Sequence, residues 1–309
     1  MTIDKKTANI IFYLLAILSL FPFISPPIAL VMGIIFINVF KTTIEKSGDY
    51  TKKILQYSIV GLGFGINLKT AVEAGSSGFV FTVSSIAFVF IVGIIFGKIL
   101  KIDQKISELI TVGTAICGGS AIAAISPIIK ANNSQNSVAL GIVFLLNSVA
   151  LIIFPSIGTY FGLSQNQFGI WAAIAIHDTS SVVGAASKFG DVALHVATTV
   201  KLARALWIIP IAIIFSLINK SETKVKFPLF IGFFILAIVL NTYLPFLETI
   251  SPYIFNFSKT ALKLALFLIG TGLSLYKFAK MGWKPVILGV SLWISVSLLS
   301  LWGVLEFIK

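Results

Sequence analysis

Charge is scarce in this chain. Only 11% of its 309 residues are Asp, Glu, Lys or Arg, against about 25% in an average soluble domain, whereas 57% are hydrophobic and the mean hydropathy is +1.02. A composition so poor in charge excludes an ordinary water-soluble domain. Cysteine is almost missing too: Cys117 stands alone, which rules out an internal disulfide and a thiolate metal cage. The two histidines, His177 and His195, are too few for a metal site without carboxylate help, so neither a metal nor a cofactor is expected. No GxxxxGK[ST] loop occurs, which leaves a nucleotide-driven activity unsupported. A serine hydrolase is not expected either. Neighbouring residues on a helix point about 100° apart, so His177 and Asp178 cannot be assumed to face one another, and the chain is not read as an enzyme.

Acidic residues are scarcer than basic ones, 11 against 23, giving a net charge of +12. The lysines are scattered singly through short connectors and do not cluster on one face, which argues against nucleic acid as a partner. What remains is a lipid bilayer. At roughly 20 residues per span plus connections, the chain has room for about ten or eleven transmembrane helices in one integral membrane domain, residues 1–309, with no separate soluble domain. The fold class expected is all-α, a polytopic membrane helix bundle. Lys5 and Lys6 precede an apolar run but no small-residue cleavage site follows, so the first helix is expected to be retained.

Thr7 to Phe40 is uncharged, too long for one span and interrupted by Pro22, Pro26 and Pro27, which predicts a helical hairpin. Ile54–Leu68 and Gly78–Gly97 supply helices three and four. Ser107–Lys130 gives a fifth, with a break predicted near Cys117 because Gly113, Gly118 and Gly119 lie at its centre and Pro127 near its end. Later spans are expected at Asn136–Ser156, Phe168–Ser187, Val192–Ile218, Phe227–Tyr243, Tyr253–Tyr276 and Pro285–Phe307. With the N-terminus inside, this layout puts fifteen connector lysines on the inner side and only Lys69, Lys130, Lys188 and Lys309 on the outer. Positive residues concentrate on the cytoplasmic side, so the asymmetry favours eleven crossings, with the N-terminus cytoplasmic and the C-terminus outside.

Weak internal similarity runs through the chain. Gly63-Phe64-Gly65-Ile66-Asn67-Leu68-Lys69 resembles Gly270-Thr271-Gly272-Leu273-Ser274-Leu275-Tyr276, and each closes an apolar helix. Residues 119–124 (GSAIAA) pair with 180–185 (SSVVGA), and Val112-Gly113-Thr114 pairs with Ile269-Gly270-Thr271. The registers disagree, and common small-residue composition is an equal alternative. Together with glycine-interrupted helices in both halves, they point toward inverted repeats.

Asp178 is the only formal charge between Ala131 and Ser187. A carboxylate at membrane depth costs roughly 2.5–3.5 kcal/mol on insertion scales, so it survives only where it faces protein or water and finds a partner. His177 and Asp178 are candidates for binding or relaying a coupling H+ or Na+, and Thr179, Ser180 and Ser181 for holding a solute. A structural ion pair of Asp178 with Lys201 or Arg204 is the alternative. An unwound turn at Cys117, Gly118, Gly119 and Ser120 frees N–H groups and aims a helix N-terminus at one point, which favours an anion; close packing through small residues is the competing account. Lys201 and Arg204, at i and i+3, share a face and either hold that anion or neutralise Asp178. Lys259 and Lys263 are expected toward the outer interface, His195 as a packing histidine, and Asn67 and Asn147 as interhelical hydrogen bonds.

Five ordered segments then carry a resemblance: GFGINL at 63–68, AICGGSAIAA at 115–124, HDTSSVVGA at 177–185, KLAR at 201–204 and LIGTGL at 268–273. The chain resembles the YeiH-type bacterial inner-membrane proteins, to which sulfate export is ascribed, and the resemblance runs over essentially its whole length. It implies a distant likeness in architecture to the bile-acid/sodium symporter and sodium/proton antiporter superfamily. There, discontinuous helices cross at the centre of a core subdomain beside a panel subdomain, the two interleaved in sequence. It further implies a bacterial plasma-membrane location and a secondary transporter of a small anion such as sulfate or a sulfonate, with a second copy of the chain as a compatible partner. A cation/proton antiporter centred on Asp178, or a membrane protein that transports nothing, are the alternatives.

Overall fold

The computed structural model describes residues 5–41, 47–220, 229–273 and 282–308, and among them every regular element is helical. Five helical stretches are long and apolar enough to cross a membrane: Leu68–Ile99, Asn133–Tyr160, Asp191–Asn219, Ser251–Gly270 and Trp283–Phe307. Thr7–Leu18, Pro26–Phe40 and Leu229–Tyr243 are shorter apolar helices. The fold is thus an all-α membrane helix bundle, divided into two compact units.

The first unit comprises Met1–Val72 and Pro228–Tyr276. It holds α1 (Lys5–Leu18), α2 (Pro26–Phe40), α3 (Ser47–Leu62), α12 (Leu229–Tyr243) and α13 (Ser251–Gly270). The prolines act as expected: α1 stops before Pro22, and Pro26 and Pro27 open α2, where a missing N–H leaves no bond broken. Phe12, Phe36 and Phe267 meet in its core with ring centroids 5.5–5.6 Å apart. Helices α2 and α13 touch backbone to backbone, since a methyl built on Gly33 would lie 2.1 Å from the Phe267 carbonyl and one on Gly270 2.2 Å from that of Leu30. Only glycine allows that approach. Lys263, buried on α13, donates to the carbonyls of Phe21 (2.7 Å) and Leu20 (3.2 Å) just beyond the end of α1.

The repeated glycine segments therefore have local structural roles. Gly63–Gly65 is a single 3₁₀ turn closing α3, and Asn67 caps the next helix by accepting the N–H of Thr70 at 2.8 Å. Gly270 ends α13, and Thr271 and Gly272 complete its last turns through bonds to the carbonyls of Phe267 and Ile269. Ser274, Leu275 and Tyr276, and the expected start of a span at Phe227, lie outside the described residues.

The second unit comprises Glu73–Phe227 and Lys277–Lys309. Its boundary with the first falls within α4 (Leu68–Ile99), which is 32 residues long, well beyond the expected Gly78–Gly97. There follow α5 (Gln104–Ala115), α6 (Gly119–Ile125), α7 (Asn133–Tyr160), α8 (Gln165–Ala175), α9 (Thr179–Phe189), α10 (Asp191–Ala205), α11 (Ile208–Asn219) and α14 (Trp283–Phe307). The expected helix over 192–218 is interrupted at Leu206 and Trp207, one turn before Pro210, whose ring excludes an α-helical bond to the Leu206 carbonyl.

Two stretches expected as single crossing spans double back on themselves. The amino group of Lys105, at the start of α5, donates to the Lys130 carbonyl at 2.8 Å, and Gln135 at the start of α7 donates to the Asp103 carboxylate at 3.0 Å. A continuous helix from 107 to 130 would separate its ends by roughly 35 Å. Residues 104–130 form a helical hairpin with its tip at Cys117 and Gly118. Residues 165–190 make a second one. The Gln165 side chain accepts the N–H groups of Val192 (3.0 Å) and Ala193 (3.3 Å), while the rings of Phe168 and Phe189 stack 3.8 Å apart. The reading of 168–187 as one unbroken helix is corrected accordingly: the chain is extended at Ile176 and Asp178.

Helix α7 sets the spacing. Its 28 residues span about 40 Å, with the base of the first hairpin at its N-terminal end and that of the second at its C-terminal end, beside Gly158. The hairpins point at each other along it. Helix α14 packs behind the second, where the Trp171 indole donates to the Ser297 carbonyl (3.0 Å) and Gln167 to that of Ile308 (2.6 Å).

Candidate functional site

The hairpin tips meet near the middle of α7. Gly118 sits at φ 65°, ψ −126°, a conformation that L side chains rarely adopt, and α5 has already stopped at Ala115. A methyl built on Gly118 would lie 3.3 Å from Asp178 Cα, Asp178 Cβ and Val143 Cγ1, so the turn is pressed directly against the second break. That break has neither glycine nor proline. It forms because Asp178 caps α9, accepting the Ser180 N–H at 3.0 Å and the Ser180 hydroxyl in a shorter bond, and because Asn147 of α7 takes the neighbouring donors. Asn147 Oδ1 accepts the backbone N–H of His177 (3.0 Å) and of Asp178 (3.2 Å).

Breaking a helix in a membrane strands carbonyls as well as N–H groups. The carbonyls go to α10. Arg204 donates through Nε (2.9 Å) and Nη2 (2.5 Å) to the carbonyl of Ala115, through Nη2 to Thr114 (3.4 Å), and through Nη1 to Ile174 (3.0 Å). Lys201 Nζ donates to the carbonyls of Ile176 (2.7 Å) and Ala173 (3.1 Å). Both cations are fully buried. They stand at the negative ends of α5 and α8, where the helix dipole favours positive charge. Among the described residues neither forms an ion pair with Asp178; their partners are main-chain oxygens, and Asp178 acts on Lys201 only through space.

The remaining members divide by exposure. Ser120 is exposed, Gly119, Asp178 and Thr179 are half-buried, and Cys117, Gly118, His177, Ser180 and Ser181 are buried. Neither ring nitrogen of His177 has a hydrogen-bond partner, nor does the Thr114 hydroxyl or the Asn147 Nδ2. All candidates of the second unit thus gather at the two tips or against them. Gly63, Gly65, Asn67, Gly270, Thr271 and Gly272 belong to the first unit and serve its helix ends. No group of three or more His, Cys, Asp and Glu gathers among the described residues. Asn147, expected from the sequence as an interhelical hydrogen bond, makes two, and they bring it to the second tip; its signal was a lone amide in the middle of a 28-residue apolar helix.

Known proteins resemble this chain over nearly its whole length. Residues 8–289 match the family model described as conserved hypothetical protein 698. A UPF0324 membrane protein of Photobacterium profundum is 50% identical over 96% of this chain and 91% of its own. The chain belongs to the UPF0324 membrane protein family. Other members are as near: one from Shewanella oneidensis is 48% identical over 98% of this chain and 96% of its own, and one from Porphyromonas gingivalis 49% over 90% and 86%. This is the family of YeiH type to which the five ordered motifs pointed. No solved structure matches.

Proposed function

We propose that this UPF0324 protein is a secondary transporter of a small anion, with sulfate and sulfonates the first candidates, working by alternating access. One observation carries the reading: the backbone polarity of the two breaks is sorted. Arg204 and Lys201 close off the carbonyl ends of α5 and α8 inside the protein, so the residues left partly accessible at the tips are Gly119 and Ser120 at the start of α6 and Asp178 and Thr179 at the start of α9. The N-terminus of α9 and the buried Arg204 favour negative charge at the tips. Asp178, the accessible member of the His177–Asp178 pair, is the place for a coupling H+ or Na+.

The hairpins support a direction for the chain. With Lys130 at the same end of the unit as Lys105, connector lysines divide sixteen to three between the two sides, a sharper asymmetry than eleven straight crossings give. We assign the lysine-rich side to the cytoplasm and place the chain in the bacterial plasma membrane, with the hairpin-bearing unit as the core subdomain and the other as the panel. A second reading rests on the half-buried Asp178 itself: a cation/proton antiporter in which the acid is the transport site.

Purified protein in liposomes distinguishes them, with fluxes of sulfate, taurine and sodium followed under imposed pH gradients. Anion transport predicts sulfate or taurine exchange that persists in Asp178→Asn while its proton dependence disappears. Sodium-driven proton flux abolished by Asp178→Asn, with no anion flux, would establish the antiporter instead. Absence of any solute-dependent flux would sink both.

A further inference from the structure

The acceptor role that Asn147 plays fixes its amide. Only oxygen can accept the N–H groups of both His177 and Asp178, so Nδ2 is the other arm, and it stays without an acceptor at 3% exposure. A buried amide donor left unpaired by protein is open to a ligand oxygen or an ordered water. It stands beside the first turn of the 11-residue helix α9, whose donors at Ser180 are taken by the side chain of Asp178. We infer that Asn147 Nδ2 and the N-terminus of α9 form an oxoanion subsite at the hairpin tips, and that the Asp178 carboxylate holds its helix donors until the transported anion displaces it. The inference rests on the anion-transport reading and extends it to a mechanism of coupling.

A carboxylate oxygen bound to an N–H and an O–H at a helix start presents the same acceptor as an oxygen of sulfate or a sulfonate. Both cannot use those donors at once, and two adjacent anions repel, so entry of the oxoanion is favoured when Asp178 is protonated. Substrate and proton then load together. The titratable groups close enough to interact with Asp178 are Cys117 at the first tip and Lys201 on α10; His177 is its chain neighbour, and Arg204 lies one turn further along α10. None supplies a second carboxylate, which leaves Asp178 as the only acid among these groups able to compete for the site.

The test measures sulfate binding to the purified full-length protein by calorimetry at an acidic and an alkaline pH. Wild type should bind sulfate more tightly at acidic pH. Asp178→Asn should bind at least about tenfold more tightly than wild type at alkaline pH and lose the pH dependence. Asn147→Asp keeps the oxygen that accepts His177 and Asp178 but replaces the free donor, and should lose sulfate binding. Protection of the single thiol, Cys117, from maleimide reports whether the tips remain closed in each variant. Sulfate binding by Asn147→Asp at wild-type strength would overturn the subsite, and so would loss of binding in Asp178→Asn with Cys117 still protected. Unchanged pH dependence in Asp178→Asn would overturn the displacement while leaving anion transport standing. No response to sulfate or taurine in any form would remove the transport reading along with it.

Discussion

The two hairpins reach the same point by different chemistry. In the first, the backbone turns because Gly118 tolerates a left-handed conformation that other residues do not. In the second, side chains impose the turn: Asp178 caps α9, Asn147 holds the two N–H groups freed at the break, and Lys201 and Arg204 take the carbonyls behind. A break can thus be encoded by conformational permissiveness at one residue or by polar partners scattered over three helices. The first kind is visible as a glycine pair. The second is invisible until the partners are assembled, and its most exposed member, Asp178, is also the one with chemistry to offer.

The contrast can be tested at three levels. The largest effect expected is all-or-none. In a Cys117→Ser background, Lys105→Cys and Lys130→Cys should react with an impermeant thiol reagent from the same side of the membrane, and Lys188→Cys from the other. Opposite-side labelling of 105 and 130 would mean that the first segment crosses. Next in size is Arg204→Met, which serves both hairpins at once. It leaves the Ala115 and Ile174 carbonyls buried without a donor and should destabilise the protein by about 2–5 kcal/mol, read as a fall in the thermal midpoint in detergent. Lys201→Met, touching only the second hairpin, should fall less. The smallest effects separate the two encodings. Gly118→Ala forces an L residue into a forbidden conformation and should cost about 1–3 kcal/mol, whereas Asp178→Asn retains a good cap and should cost under about 1 kcal/mol. Equal midpoints for these two variants would erase the distinction drawn here.

Much of the fold was legible. Composition alone dictates a membrane bundle, Pro22, Pro26 and Pro27 locate the first turn, and Gly118 and Gly119 locate the first break. The failure of the internal repeats to share one register also has a physical origin: residues 63–69 and 270–273 belong to one unit, 119–124 and 180–185, which begin the return arms of the two hairpins, to the other, and the pairing of 112–114 with 269–271 draws on both. What sequence reading missed was the reversal of direction. Apolar length counts the residues of a helix that crosses and of a hairpin that returns in the same way, and the deciding contact, Lys105 to the Lys130 carbonyl, joins residues 25 apart.

By itself the sequence determined the solvent this protein lives in, the places where its helices must stop, and the isolation of Asp178 in an apolar stretch. Tertiary structure alone decided that Lys201 and Arg204 serve main-chain carbonyls, that Asn147 belongs to the site, and that both breaks touch. The reason is the same in each case. Inside a bilayer every polar group must find its partner within the protein, and which partner it finds depends on geometry that chain order does not carry.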